Sequence, residues 1–259
     1  LAQSDTGTVM IGYRAGRQQT GHSSISIGYE AGLYAANGQS VHIGRNAGAG
    51  TGTHSNIGVA IGYQAGIRLR AGGSHAHTFV GWRAGFQMSG SNDFFGYQAG
   101  YGSIAVAPYG SGQNNVGIGT NTLYALSTGN YNTAVGREAG QSITTGYSNV
   151  AIGYAAADAM TDGGNNIAIG QSALGAANSG EFENVAIGVN AMGSVDDSGA
   201  DNNVAIGYQA GKGGAGQFSA NVAIGAYALD NTSNEHVVGA VAIGYEALTA
   251  ANNSNTDYS

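Results

Sequence analysis

The sequence holds no cysteine and a single proline in 259 residues. Disulfide staples and thiolate chemistry are thereby excluded, and so is a proline-rich linker. Charge is scarce as well. Only 9% of residues are Asp, Glu, Lys or Arg, too few for a chain kept disordered by self-repulsion. No apolar run approaches the roughly 20 residues of a membrane-spanning helix, so no membrane insertion is expected. Acids and histidines do not recur at matched spacings. There is no nucleophile elbow, P-loop or zinc-protease motif, and the Ca²⁺-binding nonapeptide of some β-rolls is missing. An enzyme is not expected. No Lys/Arg cluster repeats along a face, which argues against nucleic acid as a partner.

What the chain has is glycine, 47 residues of it, and a motif that returns throughout. The clearest copy is Asn203-Val204-Ala205-Ile206-Gly207-Tyr208-Gln209-Ala210-Gly211. Anchored on the glycine of the Ile-Gly step, the copies fall at Gly12, Gly28, Gly44, Gly62, Gly81, Gly96, Gly119, Gly136, Gly153, Gly170, Gly188, Gly207, Gly225 and Gly244. These fourteen anchors are 15 to 23 residues apart. A sustained period of this length predicts an all-β, parallel β-solenoid (a β-roll) of fibrous character, because one copy cannot bury its own apolar face and must stack on the next. At about 4.8 Å per rung, the stack would extend on the order of 65 Å.

Ile, Val or Phe precedes every anchor. Val or Ile stands three before it in all copies but those with Thr78, Asp93 and Thr133, and Ala follows by three in all but the copy with Thr122. Side chains of a strand alternate between faces. Val204 and Ile206 are therefore expected on one face, filling the coil, with Ala205 on the other, where a second backbone can approach. The anchor glycine is expected to end the strand at a positive φ or a tight approach.

Asn92, Asn115, Asn132, Asn149, Asn166, Asn184, Asn203 and Asn221 stand four before their anchors. They suit either an amide ladder between rungs or a turn position that tolerates left-handed geometry. Tyr13, Tyr29, Tyr63, Tyr97, Tyr154, Tyr208 and Tyr245 follow the anchor, as does Trp82. They read either as an exposed strip for binding or as an aromatic row packed between rungs.

The pattern divides the chain. Residues 1–100 carry six copies, all ending Ala-Gly, and residues 115–248 carry eight, with Ala-Leu and Ala-Met endings interspersed. Between them, 101–114 contains Pro108 and reads as a loop insertion or a hinge. Residues 249–259 form a polar tail expected to fray or cap the end. The net charge of −7 is uneven: 1–100 holds six Arg against three acids, 101–259 two basic residues against twelve acids. Asp196, Asp197 and Asp201 read as a solvated acidic turn, with weak Ca²⁺ binding the other reading. Leu1 opens the chain without a charged-then-apolar leader, which suits a processed or truncated product.

The copies at 132–140, 149–156 and 203–211 resemble two related groups: the left-handed β-roll heads of trimeric autotransporter adhesins, with their Val-Ala-Ile-Gly motif, and the repeat shaft of phage tail-fibre-type proteins. The resemblance covers nearly the whole chain, although these copies are longer than those of adhesin heads. It implies a structural fibre or adhesin-type protein, a homotrimer, on a virion or cell surface or otherwise extracellular, with a surface glycan or receptor as a possible target. A single-chain solenoid that stacks end to end into a filament is the alternative, and a polysaccharide-binding or -degrading β-helix a third. Gly73-Ser74-His75-Ala76-His77 is similar to a metal-binding motif in some phage long tail fibres. Both His75 and His77 share the face of the small residues. With that face on a trimer axis, six imidazoles would offer a transition metal an octahedral site; two histidines in a surface loop is the plainer reading.

Overall fold

The computed structural model describes residues 7–19, 23–35, 39–50, 56–67, 75–102, 110–178, 180–195, 199–213, 217–230, 236–249 and 256–257. The chain divides into two compact units, Leu1–Thr128 and Gly129–Ser259. Among the described residues there is no helix, and each unit is a parallel β-solenoid.

In the first unit the strands are β1 (Val9–Ile11), β2 (Ile25–Ile27), β3 (Val41–Ile43), β4 (Asn56–Ile61), β5 (His75–Val80), β6 (Asn92–Phe95) and β7 (Asn115–Ile118), one per repeat and paired in chain order. Every pair is parallel and in motif register, as in Val41↔Val59, His42↔Ala60 and Ile43↔Ile61. The longer link over 101–114 does not break the ladder, since Asn92 pairs with Asn115 across it. Residues 103–109 of that insertion lie outside the described residues.

The second unit repeats the arrangement with β8 (Thr133–Val135), β9 (Val150–Ile152), β10 (Ile167–Ile169), β11 (Val185–Ile187) and β12 (Val204–Ile206). Then come β13 (Phe218–Ser219), β14 (Val222–Ile224), β15 (Val237–Val238), β16 (Val241–Ile243) and β17 (Thr256–Asp257). β13, β15 and β17 form a second parallel ladder on another side of the coil. Thr256 and Asp257 of the polar tail thus join the stack as a strand.

The anchor glycines combine both reasons for glycine. Their φ values lie between 127° and 142°, and a β-carbon on Gly28 would sit 2.7 Å from the carbonyl oxygen of Gly44. The second residue after every anchor is left-handed too, from Arg14 at φ 52° to Glu246 at 54°. Its amide donates to the preceding rung, as Glu30 does to the Tyr13 carbonyl at 2.8 Å and Asn46 to Tyr29 at 2.8 Å. Strain of about 1–2 kcal/mol per such residue is held by a hydrogen bond that exists only in the stack. The alanine-rich piece 155–160 follows the same rule. Ala155 and Ala157 have φ near +50°, which no α-helix contains.

The two strand faces are the reverse of the sequence expectation. Ala205, Ala186 and Ala168 are buried, while Val204 is half-buried and Ile206 exposed. The small residue therefore faces the coil interior, and the large ones face out. The interior is narrow: a position seven after the anchor holds one buried side chain, as with Met88, Leu126, Ile143 and Met160, and the space beside the strand's central residue admits about one bulky filler more. Where the strand's central residue is large, glycine stands four after the anchor: Phe79 fills the space before Gly85, and a β-carbon there would approach Phe79 Cδ1 to 2.6 Å. Where the centre is Ala168, Ala186 or Ala223, the filler comes from Leu174, Met192 or Leu229, all fully buried. Such exchange at constant volume is what close packing requires.

Candidate functional site: the outward columns and the inner ladder

Residues four and two before the anchor point inward, and residues three before, one before and one after it point outward. The asparagines therefore line the coil interior, and Asn115, Asn132, Asn149, Asn166, Asn184, Asn203 and Asn221 are at most 1% exposed. Asn149 Nδ2 donates to Asn132 Oδ1 at 3.1 Å, Asn166 to Asn149 at 3.1 Å, Asn184 to Asn166 at 3.1 Å and Asn203 to Asn184 at 2.9 Å. In the first unit Asn115 donates to Asn92 at 2.9 Å. The link from Asn203 to the next rung uses the backbone amide of Asn221, at 2.9 Å.

Each amide also crosses the coil. Asn149 donates to the Gly163 carbonyl and Asn166 to that of Glu181, both at 2.8 Å, while the Oδ1 of each accepts the next asparagine's backbone N–H at 3.0 Å. Only a carboxamide offers two donors and an acceptor in this shape. The column is structural: it ties rung to rung and strand wall to opposite wall.

His77 occupies the same inner column. It is 4% exposed and stacks on Phe79 with centroids 4.6 Å apart. This corrects the metal reading. The face of small residues is the coil interior, so His77 cannot meet imidazoles of other chains on a shared axis. The side chain of His75 lies outside the described residues. Among the described residues no group of three or more His, Asp or Glu is placed to hold a metal. Asp196 and Asp197 also lie outside them, and Asp201 caps a neighbouring rung, its Oδ1 accepting the Phe182 N–H at 2.8 Å.

The outward face carries three side-chain columns. Two are Val/Ile, with Ile118 44%, Ile152 38%, Ile206 37% and Ile224 36% exposed. The third, at the corner just past the anchor, is aromatic. In the first unit Tyr13 stacks on Tyr29 at 5.2 Å, Tyr63 on Trp82 at 5.9 Å and Trp82 on Tyr97 at 4.8 Å, with ring planes within 21°. Arg45 fills the gap in the series, 5.4 Å from the Tyr29 centroid and 5.9 Å from that of Tyr63. The row is both packed between rungs and exposed: Tyr29 is 44% and Tyr97 48% exposed. In the second unit Tyr208 and Tyr245 of this row each meet Tyr227, which stands two after its anchor, edge-on instead.

A polar column, not anticipated from the sequence, runs beside the aromatic one on the left-handed residues. Arg14 Nη1 binds Glu30 Oε1 at 3.1 Å, Asn46 Nδ2 donates to Glu30 Oε2 at 3.1 Å, and Arg83 Nε donates to Gln64 Oε1 at 2.8 Å. The bond to Glu30 holds Arg14 protonated to higher pH than usual. The signal in the sequence was the polar residue two after every anchor but Gly153, where Ala155 stands, legible only once the rungs are aligned. Away from this face, burial pushes the Asp158 carboxyl above its ordinary range, with Glu138 adding to the effect.

Fold and surface together define a β-solenoid protein whose described side chains align in columns along the stack. No protein-family model, curated protein or solved structure matches this chain.

Proposed function

We propose that the protein is a structural fibre or adhesin-type component that assembles with copies of itself, as a homotrimer, on an extracellular or virion surface. The observation that carries this reading is the outward set of the large side chains. Parallel Val and Ile columns, half-buried on most rungs and exposed at Ile118, Ile152, Ile206 and Ile224, and interrupted only at Thr78, Asp93, Phe95 and Thr133, form an apolar surface of the kind that soluble monomers rarely leave uncovered. Self-association through these columns buries them and leaves the charged corner at the rim, as interfaces generally do. The inner Asn ladder and the volume-matched fillers supply stiffness, and the turns supply display for weak, multivalent contact.

Light scattering across a concentration range tests it. A fixed mass of three chains supports the trimer. Mass that grows with concentration favours the end-to-end filament, and a monomer at all concentrations overturns both.

A further inference from the structure

The aromatic corner of the first unit has features that assembly does not use. Stacked face to face, its rings cover one another's faces, so the exposed part is their edges. Sugar rings packing flat on aromatic faces, the usual CH–π arrangement, are thereby disfavoured. Edges offer something else. Tyr13, Tyr29, Arg45, Tyr63, Trp82 and Tyr97 occupy six successive rungs, and every one carries an O–H or N–H donor. The strip is a line of donors, and it calls for an acceptor-rich ligand that is extended along the stack.

The cations set its spacing. Arg45 and Arg83 lie on the third and fifth rungs, each against an aromatic ring of the corner, while Arg14, on the first, is ion-paired with Glu30. Two rungs advance about 9.6 Å, the length of an extended disaccharide unit. The strip's one acid, Glu30, is bound by Arg14 and Asn46, and Asp93 stands away from it in the outer Val/Ile column nearest the strand start. Arg45 is exposed, has ring contacts and no ion pair among the described residues, and keeps its fork of donors for a carboxylate.

We infer that this corner binds a linear polysaccharide whose carboxylate recurs on every second sugar. The stacked rings and bound partners hold the donors in place before the ligand arrives, which lowers the ordering cost of binding. A nucleic acid fits poorly. It places a phosphate on every residue, against a cation on every second rung, and the chain as a whole carries a charge of −7. The inference rests on the display role proposed above, but not on the number of chains in the assembly.

Trp82 is the chain's one tryptophan and sits within the strip, so its fluorescence reports binding directly. The protein is titrated with an alternating glucuronate–N-acetylglucosamine polymer. Parallel titrations use a neutral β-glucan, a polymer of galacturonate with an acid on every sugar, and a single-stranded oligonucleotide. The expected result is a saturable change with the alternating polymer alone, weakened about tenfold in Arg45→Gln and suppressed by high salt.

Among the described residues the Arg45 side chain makes no hydrogen bond for Arg45→Gln to remove, and the variant's unfolding midpoint is measured beside the wild type to confirm an intact fold. No binding of the alternating polymer overturns the inference. So does equal binding of the neutral or fully acidic polymer, preference for the oligonucleotide, or indifference to Arg45→Gln. Light scattering on the same samples separates this failure from that of the assembly: three chains with no polysaccharide bound leaves the fibre standing and removes the ligand.

Discussion

Gly170 stands so close to Gly188 that a β-carbon on the first would lie 2.5 Å from the carbonyl oxygen of the second, with φ at 129°. The same relation recurs from anchor to anchor, so rung contact is backbone on backbone. Gly170→Ala is expected to destabilise the second unit by more than about 3 kcal/mol, through strain in a glycine-only region of φ/ψ plus the clash. Denaturant unfolding of the variant checks this. A change of under 1 kcal/mol would show that the rungs slide apart at little cost.

Asn166→Ala removes bonds to Asn149 and Glu181 and strands the backbone amide of Asn184. Buried groups left unpaired cost about 1–3 kcal/mol each, so a loss of roughly 3–5 kcal/mol is expected. Asn202→Gly provides the contrast. Asn202 is exposed and left-handed at φ 60°, and glycine there is expected to change stability by less than about 0.5 kcal/mol. Similar effects from the two variants would remove the ladder as a source of stability.

The fillers make a coupled pair testable. Leu174→Gly empties one rung of the second unit, and Ala168→Phe overfills it. Together they reproduce the arrangement of Phe79 and Gly85 in the first unit. A double-mutant cycle is expected to show favourable coupling on the order of 2 kcal/mol. Additive losses would mean that the interior is not volume-limited.

Asp158, like Asp230, makes stability depend on pH. Its folded-state pKa is raised, chiefly by burial, so the folded state favours the protonated form. That preference is fully present below the ordinary carboxylate range and is lost as pH rises through the raised pKa. At pH 7 the charged group opposes folding. Asp158→Asn is therefore expected to raise the unfolding temperature at pH 7 and to make little difference at pH 3. A lower unfolding temperature at pH 7 would reverse the assignment.

Ile187→Lys places a charge in an outward column of the second unit without touching the interior. The expected outcome is an unchanged circular dichroism spectrum with a smaller mass in solution, since a buried unpaired charge opposes assembly. Retention of the full assembly would place the interface elsewhere.

The period, the anchors and the strand positions were legible in the sequence because each rests on local necessity. Gly28 is glycine because Gly44 lies beneath it, and that need returns every rung. The Asn positions were legible as a column, though whether they formed a ladder or turns was not: Asn149 could serve either until its neighbours were placed. The aromatic row was read as packed or exposed, and Tyr29 is both. His77 was placed on the right face, but that face was assigned to the wrong side of the wall.

By itself the sequence determined a stack of β rungs, with Val and Ile on one face of each strand and Ala on the other. Period-two alternation separates the faces without saying which is inside. Only the tertiary structure decided that. The coil is so narrow that beside Asn166 and small residues such as Ala168 it takes one bulky filler, Leu174, in that rung, and Ile167 and Ile169 are left on the outer face. The general preference for burying large apolar groups yields here to the volume of the coil, and the surface that results is the one on which assembly is proposed to occur.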